Sequence, residues 1–321
     1  MSSHSFNAAL LEIQKDTSSG AAEIAQKGLN AILREGIVSV SIPKHELLQH
    51  LRSCAKLLID THPEMAVLES LLREFLGTVS TRLLKDDESR GHAEVIQTIG
   101  TSLTQELLRR EEQAAANLAN CLKKYSSFLT LSWSSTVYNA FVILKQSSRT
   151  RVKRILVAES RPLFEGRTLA TRLAQLDFNV ELIIDAAIGR YVNNVEVAIC
   201  GADTIFVDGS ILNKVGSYLL ALSCANCNPS IPFMVGSSST KFCDRSYNEN
   251  SITIITKRPP EEILNNWREL RVKPRNVYFE IIPRRLISAL ITDEGVITSD
   301  FGKKIKNVLS MRFTSHLQTI D

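Results

Sequence analysis

The residues best suited to chemistry fall in four short stretches, each directly after an apolar run. Ser132-Trp133-Ser134-Ser135 follows the first, Glu159-Ser160-Arg161-Pro162 the second and Asp185 the third. The fourth stretch, Gly201–Tyr218, supplies Asp203, a tight Asp208-Gly209 turn, and then Asn213 and Lys214. If the apolar runs are parallel strands, residues just past their ends converge on one crevice. The convergent set is then Ser132, Ser134, Ser135, Glu159, Arg161, Asp185, Asp203, Asn213 and Lys214. Arg161 can grip a phosphate with two parallel N–H groups. Ser134 and Ser135 can cap a helix and contact an anion. Lys214, read as opening a helix, adds charge to the positive end of that helix. The expected ligand is a small anion beside one buried carboxylate, Asp203. A plainer reading stands next to it: Gly201–Tyr218 is an ordinary strand–turn–helix connection, and Glu159 with Arg161 and Asp203 with Lys214 only satisfy one another as ion pairs.

The elements that must hold these residues change character near residue 125. Residues 1–125 read as an all-helical N-terminal domain of four helices. The first carries Ala21, Ile24, Ala25, Leu29 and Ile32, and the second Leu47, Leu51, Ala55 and Leu58. The third opens at Pro63, and a long fourth runs from about Gly91 to Lys124 with Arg109-Arg110-Glu111-Glu112 on its polar side. Residues 126–321 read as an α/β domain with a mostly parallel sheet. Its expected strands are Phe128–Trp133, Arg154–Glu159, Val180–Asp185, Val195–Cys200, Ile231–Val235, Ile252–Thr256 and Val277–Ile282. Helices are expected at Ser135–Lys145, Gly166–Asp177, Lys214–Asn226 and Pro259–Leu270, an alternation that marks βαβ units. Pro283 is expected to start a short segment to Leu290, followed by a turn at 292–295 and an amphipathic tail.

Composition narrows the function classes. The 321 residues are 44% hydrophobic and 22% charged, as in a globular protein, and the formal net charge of +4 gives no reason to expect direct nucleic-acid binding. No apolar run reaches the length of a membrane span, and the N-terminus lacks a secretory signal, so the expected location is cytoplasmic. The six cysteines are spread widely and read as reduced thiols; Cys224 and Cys227 form a single C-x-x-C without a second pair. There is no G-x-x-x-x-G-K-[ST] or G-x-G-x-x-G loop and no H-E-x-x-H, so no cofactor and no metal are expected. His62, His92 and His316 read as surface residues, and Ser237–Ser239 as a solvated loop.

Four blocks in order, ILVAESRPLFEGRTLATRLAQLDFNVELIIDAAIG, VEVAICGADTIFVDGSILNKVGSYLLAL, IPFMVGSSSTKFCDR and ISALITDEGV, resemble one superfamily. It comprises the α, β and δ regulatory subunits of translation initiation factor 2B and two sugar-phosphate isomerases, for ribose-1,5-bisphosphate and 5-methylthioribose-1-phosphate. The resemblance implies a helical N-terminal domain on a Rossmann-like C-terminal domain that dimerises. In the isomerases a cysteine in a T-x-C segment and the aspartate of G-A-D act as acid and base. Asp203 matches the second, but Ser132 stands where the cysteine is expected. An arginine preceding a Gly-Ala pair is also missing, because Ser19 precedes Gly20-Ala21. A serine hydroxyl is far less acidic than a thiol. The resemblance therefore implies a non-catalytic subunit of the α or δ type, with related subunits and initiation factor 2 as partners and a sugar phosphate as ligand. The alternative it implies is an isomerase with Asp203 as a catalytic residue.

Overall fold

The computed structural model describes residues 3–17, 19–85, 91–147, 151–246, 258–264 and 271–313. Five helices come first: α1 (His4–Lys15), α2 (Ala21–Val38), α3 (Lys44–Ile59), α4 (Ala66–Lys85) and α5 (His92–Leu122). One more helix is present than the apolar spacing indicated. α1 buries only Phe6 and Ile13, too sparse a stripe to stand out, and Ser3 caps it by accepting from the Phe6 N–H. The stripes of α2 to α4 interlock around Leu29, Leu51, Leu68 and Phe75. α5 spans about 46 Å at 1.5 Å per residue. Its first half joins that core through Ile96, Ile99 and Leu107, while Leu118, Ala119 and Leu122 pack under the sheet that follows. Glu111, expected on the polar side of this helix, is buried there instead. It accepts hydrogen bonds from Thr136 and Ser238.

The sheet contains β1 (Ser127–Leu131), β2 (Arg154–Ala158), β3 (Val180–Ile183), β4 (Val197–Cys200), β7 (Phe233–Gly236), β10 (Ala289–Thr292) and β11 (Gly295–Ile297). Their order is β11-β10-β7-β4-β1-β2-β3, with every pair parallel except β10–β11. Helices α6 (Ser135–Gln146), α7 (Glu165–Gln175), α8 (Ile188–Tyr191) and α9 (Ser217–Ala225) connect the strands. A second sheet, β8-β5-β6-β9, comprises β5 (Thr204–Phe206), β6 (Ile211–Lys214), β8 (Phe242–Cys243) and β9 (Phe279–Ile282). A short α10 (Glu261–Leu264) and the C-terminal α11 (Phe301–Phe313) complete the described elements.

Two expectations are corrected here. Asn213 and Lys214 do not open a helix: they end β6, which pairs antiparallel with β5 across the Asp208-Gly209 turn. The segment after Pro283 makes one short turn and then the buried strand β10, between β7 and the edge strand β11 of the main sheet. The expected strand Ile252–Thr256 and residues 265–270 of the expected helix lie outside the described residues, as does His316. The helical core is also continuous with the second sheet, for Phe206, Leu212, Tyr278 and Phe279 pack into it.

Candidate functional site

The strand order decides where the site lies. From β1 the chain winds outward to β2 and β3, whereas β4, β7 and β10 lie on the other side of β1. The switch point is therefore the gap between the C-terminal ends of β1 and β4, where open sheets place ligands. Ser132–Ser135 leave β1 and Gly201–Asp203 leave β4 at this gap. A cavity of about 80 Å³ opens there, enough for several waters or part of a small ligand.

Six of the nine candidate residues line it: Ser132, Ser134, Ser135, Asp203, Asn213 and Lys214. Ser132 sits at φ 59°, a left-handed conformation that costs a non-glycine residue about 1 kcal/mol or more. Its N–H donates to Ser160 Oγ at 2.7 Å, which holds the turn. Ser134 caps α6, accepting from the Val137 N–H at 3.3 Å. Gly201 passes so close that a Cβ there would lie 2.6 Å from Ser134 Oγ.

Glu159, Arg161 and Asp185 do not line the cavity. Neighbouring strands lie about 4.8 Å apart, so the ends of β2 and β3 are carried one and two strands beyond β1, away from the switch point. Asp185 instead accepts from the Ser160 and Arg161 N–H groups, at 2.8 and 2.7 Å. Arg161 lies over the Phe164 ring and donates to the Glu262 carbonyl. Glu159 pairs with Arg167 at 2.6 Å, not with Arg161. Lys214 likewise pairs with Glu165 rather than with Asp203. The positive end of α9 is already filled by the chain's own carboxylate, since Glu280 accepts from the Gly216 and Tyr218 N–H groups at 2.6 and 2.8 Å.

The rest of the wall comes from residues far apart in sequence. Asp16, Thr17, Ser19 and Gly20 close it from the start of α2, and His62 and Glu64 from the turn before α4. His62 is buried, not superficial; its Nε2–H donates to the Ile13 carbonyl at 2.8 Å, and its Nδ1 lies 3.9 Å from Glu64 Oε1 without a hydrogen bond. Arg258 pairs with Glu64, and both Arg258 and Lys214 lie against the Tyr278 ring. The serines 237–239 are fully buried rather than solvated. Ser238 donates to Glu111 and Ser239 to Asp293, and next to them Lys241 is buried on the cavity wall.

Asp203 is the reactive-looking group. Its N–H donates to the Leu212 carbonyl, which fixes the backbone, while the carboxylate accepts no hydrogen bond among the described residues. It lines the cavity and is half-buried. Burial pushes its carboxyl up to about 6, against the opposing pull of Lys241 and Lys214 and with support from Glu64 and Glu165. Such a group can hold or release a proton near neutral pH. The cavity as a whole is not cationic. Asp16, Glu64, Glu165 and Asp203 face Lys214, Lys241 and Arg258, and two of those three cations are ion-paired to lining acids.

A seven-stranded open sheet with a polar cavity at its switch point, closed by a helical N-terminal layer, defines an α/β protein of the Rossmann-like class. The chain matches the initiation factor 2 subunit family over residues 17–299, and it belongs to that family. An eIF-2B subunit 2-like protein of Pyrococcus furiosus is 29% identical over 293 residues, which cover 90% of this chain and 94% of that protein. A ribose 1,5-bisphosphate isomerase of Haloferax volcanii is 27% identical over 282 residues, covering 86% and 83%. The crystal structure of the Pyrococcus horikoshii translation initiation factor eIF-2B superposes with a TM-score of 0.77 at 23% identity, over 94% of this chain and 99% of that one. Relatives of both kinds, subunits and isomerases, thus share this sequence pattern.

Proposed function

We propose that the protein is a non-catalytic subunit of the eIF-2B type, α- or δ-like, acting through contacts with related subunits and with initiation factor 2. The observation that carries this reading is the internal neutrality of the cavity. An aldose–ketose isomerase acting on a sugar phosphate must hold a phosphate dianion, which calls for surplus positive charge. Here Asp16 is paired with Lys27, and Glu64, Glu165 and Asp203 balance Arg258, Lys214 and Lys241, so no surplus positive charge remains; Ser132 offers no acidic proton opposite Asp203. Assembly is supported by exposed apolar side chains: Leu182 and Ile184 at the edge strand β3, and Tyr191 on α8 with Leu219 and Leu222 on α9, which packs against α8. Scattered exposed leucines are ordinary, but apolar side chains on packed neighbouring elements mark a surface that another chain covers. Light scattering on the purified chain should give a dimer, or a complex once related subunits are added. A monomer that captures neither those subunits nor initiation factor 2 sinks the proposal.

One observation favours a second reading, the isomerase: Asp203 has the proton affinity that such a reaction needs. Incubation with ribose-1,5-bisphosphate and with 5-methylthioribose-1-phosphate separates the two. The subunit reading expects no turnover of either and only weak binding. Turnover that Asp203→Asn abolishes would establish the isomerase instead.

A further inference from the structure

Among the described residues, one group of three combines an imidazole, a thiol and a carboxylate: Glu35, His50 and Cys54. It lies in the helical layer, away from the cavity described above. His50 and Cys54 are four residues apart on α3 and so share one face of it, and Glu35 meets them from the last turns of α2. His50 Nε2 lies 2.7 Å from Glu35 Oε1 and 3.8 Å from Cys54 Sγ, and all the donor atoms fall within 4.8 Å of one another. We propose that these three side chains form a binding site for a divalent transition ion of the zinc class, with the fourth position left to water.

Tetrahedral zinc with bonds of about 2.0–2.3 Å sets its donor atoms about 3.4–3.6 Å apart. The observed separations bracket that range, so rotamer adjustments of under an ångström on each side chain complete the shell. Mixed nitrogen, sulfur and oxygen ligands suit zinc among the common divalent ions. Charge also balances: a dication with one thiolate and one carboxylate is neutral, which removes the cost of burying net charge at a site where Glu35 and Cys54 are each 1% exposed. On binding, the Cys54 S–H breaks and its proton leaves to solvent; Nε2 also gives up the proton it shares with Glu35, and the ring carries its proton on Nδ1, so that Nε2 can ligate. The supporting contacts are in place. Ser3 donates its N–H and Oγ–H to the Glu35 carboxylate and so orients that ligand as outer partners of metal ligands do. Entry is through the groove where His50 lies beside Ser39, Glu46 and Gln49. The ion would tie α2 to α3 at the point where Ser3 anchors the start of α1.

The test uses the full chain, freed of any affinity tag and of metal, titrated with Co²⁺ and then Zn²⁺. One equivalent of cobalt should give a thiolate-to-metal charge-transfer band that zinc displaces. Cys54→Ser should abolish the band, His50→Ala should weaken binding at least tenfold, and Ser3→Ala should weaken it by about 10- to 100-fold. Cys227→Ser should leave the band intact. X-ray absorption of the zinc-loaded wild type needs no variant and should find a single sulfur ligand. Absence of stoichiometric binding, a shell with two sulfurs or none, or a band that follows Cys227 would each overturn the site.

Discussion

Replacing Asp203 with asparagine keeps the side-chain shape and removes its titration, so it isolates what burial does to this carboxyl. The group moves from its ordinary 3.8 to about 6 in the folded chain. Below about pH 4 it is protonated in both states and contributes no difference. Between about 4 and 6 the unfolded chain releases the proton while the folded cavity still holds it. The folded state then binds more protons than the unfolded one, and stability falls as pH rises. A shift of about two units corresponds to about 3 kcal/mol, fully expressed above pH 6. Asp203→Asn does not carry this penalty. With an unfolding entropy of about 2 cal/mol/K per residue, the variant should melt about 5 °C above the wild type at pH 8 and level with it at pH 4. Differential scanning fluorimetry across that pH range reads the difference directly. A variant that melts below the wild type at pH 8, or a gap that does not close in acid, refutes the claim that Asp203 is held in a cavity hostile to its charge.

Three further outcomes follow from the same geometry. Lys214→Met leaves the half-buried Glu165 without its partner and should destabilise the fold by about 1–3 kcal/mol, whereas adding Glu165→Gln should recover most of the loss in a denaturant titration. Glu280→Ala removes the acceptor of two N–H groups at the start of α9 and should cost about 1–3 kcal/mol, seen as earlier thermal unfolding. Gly201→Ala drives a methyl group against Ser134 Oγ; a cost of about 1–3 kcal/mol and loss of the α6 cap are expected, the latter visible as faster amide exchange at Val137.

Much of the architecture was legible because local physics wrote it. The 3.6-residue apolar stripes of α2 to α5 and the apolar runs of β1 to β4 follow from which face must be buried, so the helical layer and the first strands of the parallel sheet read out from residue order. Asp208-Gly209 between apolar flanks is a hairpin signal, and weighing it as one would have recovered β5 and β6 and kept Lys214 out of a helix. No local pattern could show that Glu111 turns inward to meet Thr136 and Ser238, since its partners lie 25 and 127 residues away. The same holds for His62, whose buried role depends on the Ile13 carbonyl.

The sequence by itself determined that polar residues follow the strands, that a carboxylate waits after β4, and that a serine stands after β1. It could not rank those strand ends, because every βα turn looks alike until the sheet is ordered. Only the tertiary structure put β1 beside β4, which gathers Ser132, Ser134 and Asp203 around one cavity and carries Glu159, Arg161 and Asp185 away from it. It also decided the charge of that cavity, by bringing Glu64 and Glu165 against Arg258 and Lys214. Coulomb interaction depends on distance in space, and across 49 and 194 residues of chain that distance is set by folding alone.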